Sequence, residues 1–251
     1  MMLAIDLWYT DYSKTKMGLK HALIWSAIWI GVALLYNISI YFKFSDGHIK
    51  AMEFLAAYLM EKSLSVDNLF VFIMIFTVMG IEDRDQPHIL KWGILGAIFF
   101  RIIFILTGVA LIEKFDFVIY IFGAILLFTA YKMAFMEEKK IEPEKNLFVK
   151  FVSKIFPVKA NNVHKFFVKE NGKLYITNLF LTLVLIESTD IIFALDSIPA
   201  VIAISRDPFI IITSNIFAIL GLRALYFALA GIMGLFRFLK YEIIFTLFRW
   251  C

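Results

Sequence analysis

Long apolar runs recur along the chain, near residues 18–42, 51–79, 89–113, 115–135, 174–204 and 209–235. A bilayer core of about 30 Å is spanned by roughly 20 apolar residues in a helix, and each run meets that length. The pattern predicts an all-α fold, a polytopic membrane helix bundle with about six complete transmembrane helices. The first run is too long for the roughly 7–15-residue apolar core of a signal peptide, and further spans follow it, so a cleaved leader is not expected. One polar interval, 136–173, interrupts the series. Its charges, Pro143, Pro157 and the Asn171-Gly172 turn signal mark a sizeable extramembrane loop. Within it, 146–156 has the pattern of an amphipathic helix suited to a membrane surface. The chain therefore reads as a single membrane domain, 1–251, with a first half 18–135, a loop 136–173 and a second half 174–240.

Two of the runs contain carboxylates deep inside their apolar stretch, away from the ends. Glu61 and Asp67 lie in FLAAYLMEKSLSVDNLFVFIMIF, and Glu187, Asp190 and Asp196 lie in LYITNLFLTLVLIESTDIIFALDSIPAVIAI. An acid at the centre of a membrane helix costs roughly 2.5–3.5 kcal/mol on insertion scales, so these residues are the first candidates for function. Glu61 and Asp67 are six residues apart, as are Asp190 and Asp196, and the two motif helices are separated by an even number of spans. They should therefore run in opposite directions, as in the inverted repeats of secondary transporters.

Six residues turn an ideal helix by about 600°, leaving Glu61 and Asp67 about 120° apart. Either the helix is unwound between them or the two acids serve different layers of a polar pathway. Ser63 and Ser65 between the first pair, and Pro199 after Asp196, favour local irregularity. Glu187 and Asp190, three residues apart, share a face and could hold one cation together. With Asn68, Ser188, Thr189 and Ser197 they make an inventory of oxygen donors. Such donors suit hard divalent cations such as Mn²⁺, Mg²⁺ or Ca²⁺, and the lack of nearby Cys or His argues against Zn²⁺ or Cu⁺. The competing explanation is structural: ion pairing of the acids with Lys62, Arg101 or Arg223, the cationic residues within or near spans.

Composition sharpens the class. The chain has 251 residues, 61% hydrophobic and 18% charged, with a mean hydropathy of +0.82, against about 25% charged in soluble domains. The single cysteine, Cys251, excludes a disulfide or thiolate cluster within one copy of this sequence. The net charge of +4 comes from lysines and arginines beside the spans, not from an aromatic-interleaved basic face, so no nucleic acid is expected. If 136–173 is cytoplasmic, seventeen of these residues fall inside and only Lys43, Lys50, Lys114 and Arg206 fall outside, as the positive-inside rule requires. His21, His48, His88 and His164 lie at span ends or in loops and read as ordinary surface residues. No catalytic triad, phosphate loop, HExxH or dinucleotide fingerprint is present, so neither enzymatic activity nor a cofactor is expected.

The strings EKSLSVDNLFVF (61–72), GILGAIFFRIIFILTG (93–108), FDFVIYIFGAILLFTAYKM (115–133), ESTDIIFALDSIPAV (187–201) and DPFIIITSNIFAILGLRALYF (207–227) resemble the TerC family of integral membrane proteins, in particular its Alx-like branch. The resemblance runs from about residue 3 to 240. It implies a multi-pass protein of the bacterial inner membrane, related to small cation exporters, with members linked to Mn²⁺ efflux and, by older naming, to tellurite resistance. Carried onto matching positions, it implies a metal pathway of Glu61, Asp67, Asn68, Glu187, Asp190 and Asp196, supported by Ser188, Thr189 and Ser197. The expected partners are a divalent metal ion and the lipid bilayer, with assembly into a homo-oligomer left open. The family pattern has a complete helix before MLAIDL and about two more after FRFLKY, so against it this chain reads as shortened at both ends.

Overall fold

A computed structural model describes residues 18–135, 143, 146–159, 164–170 and 172–233, with backbone alone at 130, 132–134 and 196. The helices are α1 (Leu19–Lys43), α2 (Gly47–Val78), α3 (Gln86–Lys114), α4 (Val118–Phe135), α5 (Leu147–Ile155), α6 (Asn178–Ile204), α7 (Pro208–Ile219) and α8 (Leu222–Met233). Each expected span is helical over most of its described length, but the helix of the fifth begins only at Asn178, because 174–177 belong to a strand. The fold is an all-α polytopic membrane bundle, the last span being two helices bent by 42°. Helices α1, α3 and α6 are each long and apolar enough to cross a membrane, and the bent α7–α8 pair can supply a further span. Helix α2, at 32 residues, is long enough but carries Glu61, Lys62 and Asp67 in its middle. The expected structure before residue 18 and after 233 lies outside the described residues.

Contacts at the helix ends fix the directions. Asn178 at the start of α6 donates to the Met79 carbonyl at the end of α2 (2.7 Å), and Ser205 at the other end of α6 donates to Glu53 near the start of α2 (2.7 Å). Helices α2 and α6 are therefore antiparallel. Lys50 pairs with Asp207 at 2.8 Å and Lys62 reaches the last carbonyls of α7, so α2 and α7 run the same way. Gly93 lies against Ile186 and Gly108 against Ile202, so α3 and α6 are also parallel. Thus α2–α3 of the first half and α6–α7 of the second are oppositely oriented, each half packing mainly on the other. A further echo is that Arg101 lies sixteen residues after Asp85, the residue preceding α3, and Arg223 sixteen after Asp207, the residue preceding α7.

Local irregularity falls elsewhere than the sequence suggests. Helix α2 is continuous from Glu61 through Asp67, and α6 continues through Pro199. The break is between α7 and α8, at Gly221, whose φ of 77° suits glycine. A Cβ there would stand 2.7 Å from the Trp29 ring. Carbonyls freed at this turn are answered by Lys62, whose Nζ donates to Ala218 (3.1 Å) and Leu220 (3.3 Å). A cation beside the negative end of α7 is the favourable arrangement.

The interval 136–173 is more structured than a plain connector. Asn146 caps α5, accepting from the Phe148 and Val149 amides, and a three-stranded sheet of order β1-β3-β2 follows it. The strands are β1 (Val158–Lys159), β2 (Phe167–Glu170) and β3 (Lys173–Thr177). Strands β2 and β3 are antiparallel from Phe167↔Ile176 to Glu170↔Lys173, with Gly172 at φ 78° in the turn. Buried Ile176 joins a core with Leu69, Phe76, Ile89, Leu185 and Tyr226, tying the sheet to the bundle. His164 bonds Asp85 at 2.9 Å and contacts Arg84, so the loop is also fastened to the α2–α3 turn.

Candidate metal pathway: a guanidinium between two halves

Arg101 on α3 is the hub of the buried polar centre. Its Nη1 donates to Glu61 Oε2 on α2 (2.5 Å), and its Nε and Nη2 donate to Asp190 Oδ2 and Oδ1 on α6 (3.3 and 3.2 Å). Nη1 also reaches Asn215 Oδ1 on α7 (3.4 Å). Arg101 is 3% exposed, Glu61 0% and Asp190 6%. Four helices and both halves thus meet on one side chain. A guanidinium suits this position because it stays charged when buried and its planar fork engages both oxygens of one carboxylate.

Glu187 stands one turn from Asp190 on α6. Its carboxylate lies against Gly96, where an added Cβ would come within 2.1–2.5 Å of it. Helix α3 can approach there only because residue 96 has no side chain. Among the described residues, buried Glu187 Oε2 has no partner, nor have Glu61 Oε1, Ser65 Oγ and Asn215 Nδ2, nor Ser197 Oγ farther along α6. Buried polar atoms are nearly always paired, so the first four, gathered about one centre, call for a polar guest.

A narrow cavity of about 20 Å³ leads to this centre, lined by Ser65, Asn68, Phe72, Leu90, Gly93, Ala97, Arg101 and Asp190. One water needs roughly 10–15 Å³, so the space suits a water molecule or a small ion. Its residues on α2 lie between Glu61 and the α2–α3 turn, and those on α3 between that turn and Arg101. The cavity therefore approaches from the α2–α3-turn end of the bundle.

The candidate residues separate into groups. Glu61, Asp190, Glu187 and Asn68 stand at the centre or its cavity, and buried Ser197 lies farther along α6. Asp67 does not join them: on an unbroken helix the spacing from Glu61 turns it away, and it is exposed. The Ser188 hydroxyl bonds the Leu185 carbonyl (2.8 Å) and accepts from Asn146 (2.9 Å), while Thr189 also bonds Leu185 (2.8 Å). Both hydroxyls are engaged on their own helix, and Ser188 is docked to the α5 cap. The Asp196 side chain lies outside the described residues. Among the described residues, no three acidic, His or Cys side chains are grouped to hold one metal ion. Sequence reasoning passed over Ser65 as a lining residue and Asn215 altogether, because an uncharged polar residue in an apolar run is a weak signal. Arg101 was visible only as a neutralising partner.

The description "Integral membrane protein TerC family" matches residues 46–249. The chain is 45% identical to the Escherichia coli K12 protein Alx, named as a proposed membrane-bound redox modulator, over 96% of this chain and 78% of that one. It is 43% identical to an uncharacterized membrane protein of Myxococcus xanthus, STKORF319, over 95% of this chain and 75% of that one. No solved structure matches the chain. A family match across most of its length and relatives of this identity lead to one conclusion: the chain belongs to the TerC family of integral membrane proteins.

Proposed function

We propose that the chain exports a hard divalent cation, with Mn²⁺ the foremost candidate, through the polar centre between its halves. The observation that carries this reading is the set of buried oxygens without protein partners, Glu61 Oε1, Ser65 Oγ and Glu187 Oε2, beside the Arg101–Asp190 pair. All are hard donors of the kind Mn²⁺ or Mg²⁺ takes. Antiparallel α2 and α6 supply the acids, an arrangement suited to alternating access by rocking one half against the other. In this proposal the protein lies in the bacterial inner membrane with 136–173 cytoplasmic, so the cavity opens inward and loads the ion for export. No enzymatic step is involved. The test is intracellular manganese at matched expression. The protein should lower it, and Asp190→Asn should abolish the effect at unchanged membrane abundance. Unchanged manganese with the native protein would defeat the reading.

A second reading has its own observation: Arg101 already neutralises much of the charge on Glu61 and Asp190, and α5 with the sheet forms a folded platform outside the spans. On this view the protein is a membrane-embedded assembly or stress factor that holds partners through 136–173. The redox role in the name of the Alx relatives would fit here, although a thiol–disulfide couple cannot form within these 251 residues, where Cys251 is the only cysteine. This reading expects Asp190→Asn to be either unstable or fully functional.

A further inference from the structure

We propose that Arg101 is a tethered competitor of the transported ion: its guanidinium occupies Asp190 in the ion-free protein and has to withdraw before a divalent cation binds. The inference rests on the transport reading above. Both Asp190 oxygens are taken by Arg101, one by Nε and one by Nη2. The guanidinium cannot lose its charge, so a divalent ion at Asp190 would face a fixed positive charge within a few ångströms in a medium that screens poorly. Binding of the ion and the Arg101–Asp190 pair exclude each other.

Arg101 has somewhere to go. Glu61 presents one oxygen to Nη1 and keeps Oε1 buried and unpartnered. A small rotation converts that single contact into a two-oxygen pair on Glu61 alone. Asp190 is then released toward Glu187, one turn along the same helix, whose Oε2 is also buried and unpartnered. Charge balances in this state: a doubly charged ion faces the two carboxylates of α6, and Arg101 faces Glu61. The Arg101 bridge ties α2 and α3 of one half to α6 and α7 of the other. Its removal from Asp190 unties them, so the same event that admits the ion frees the halves to rock.

The test uses the full chain purified in detergent, with Mn²⁺ binding followed by the EPR signal of free ion, and Mn²⁺ flux measured in liposomes. Arg101→Gln should bind Mn²⁺ at least ten-fold more tightly than the native protein and carry less than a tenth of its flux, because the ion is no longer expelled. Arg101→Gly should behave likewise, and added guanidinium chloride at non-denaturing concentration should compete with Mn²⁺ in it and not in the native protein. Arg101→Lys, which keeps the charge without the fork, covers the case in which the neutral variants do not fold, and should bind a few-fold more tightly than the native protein. Native flux together with unchanged or weaker binding in every folded Arg101 variant, or no guanidinium competition, would overturn the competitor role alone. Absence of both binding and flux in the native protein would overturn the transport reading and this inference with it.

Discussion

At residue scale, the acids are constrained by what surrounds them more than by their own chemistry. Glu187 keeps its position because residue 96 is glycine. In Gly96→Ala the new methyl would overlap the carboxylate, at 2.1–2.5 Å. Glu187 must then move, a shift that is cheap for the far end of a flexible side chain, and alanine gains about 0.5–1 kcal/mol of helix propensity over glycine. Thermal unfolding should therefore change little, while Mn²⁺ flux should fall. Asp207 offers a pH-dependent case outside the spans. Burial pushes its carboxyl up, but the Lys50 hydrogen bond and charge, together with the Phe209 amide, outweigh this and hold it below its ordinary 3.8. A depressed carboxyl stabilises the fold fully above the ordinary value, and the contribution is lost as pH falls through the depressed one. Asp207→Asn, which keeps the helix cap and loses only the partly exposed ion pair, should therefore lower the unfolding midpoint at pH 7 by the equivalent of about 0.2–1 kcal/mol and make little difference in strong acid. Equal losses at both pH values would contradict this account.

The acids were legible in the sequence because a carboxylate in an apolar run is conspicuous. Their partners were not. Whether Ser188 or Thr189 faces a cavity or bonds its own helix depends on rotamers, and the helix geometry that turns Asp67 away from Glu61 mattered only once α2 proved unbroken. Asp190 and Arg101 are 89 residues apart, a pairing that follows from packing and not from pattern.

At the scale of elements, every expected span could be read from hydropathy, because length and apolarity are what a bilayer selects. The sheet is not legible that way because its strands are two to five residues long and follow no extended alternation, and β3 takes up 174–177, which hydropathy joins to the fifth span. The position of the helix break was also missed. Pro199 and the serines of α2 are the conspicuous helix breakers in the sequence, whereas the deciding features are Gly221 at positive φ and Trp29 packed against it. Gly221→Ala should therefore be destabilising by about 1–3 kcal/mol through backbone strain and collision with Trp29, measurable by thermal unfolding. Pro199→Ala should be neutral or stabilising. The α5 cap gives a local prediction: Asn146→Ala removes the bonds to Phe148, Val149 and Ser188. Amide exchange should then accelerate across Leu147–Ile155, with little change in α1.

At the scale of the whole molecule, the two halves are oppositely oriented, and the centre lies where they meet. The sequence suggested this from paired acids and an even number of intervening spans, and the antiparallel contacts of α2 and α6 bear the opposition out. The direction of the bundle in the membrane can be checked directly. With Cys251 replaced, a cysteine at Asp46 should react with an impermeant thiol reagent in intact cells, and one at Lys169 only after permeabilisation. The reverse pattern would place the cavity mouth outside and turn the proposed export into uptake.

The most direct measurement is Mn²⁺ flux into liposomes holding the purified chain, native and Asp190→Asn, at equal incorporation and equal thermal stability. The account predicts saturable flux in the native protein and none above empty liposomes in the variant, since Asp190 is the acid that Arg101 and the ion share. Identical flux in both, or none in either, would contradict it.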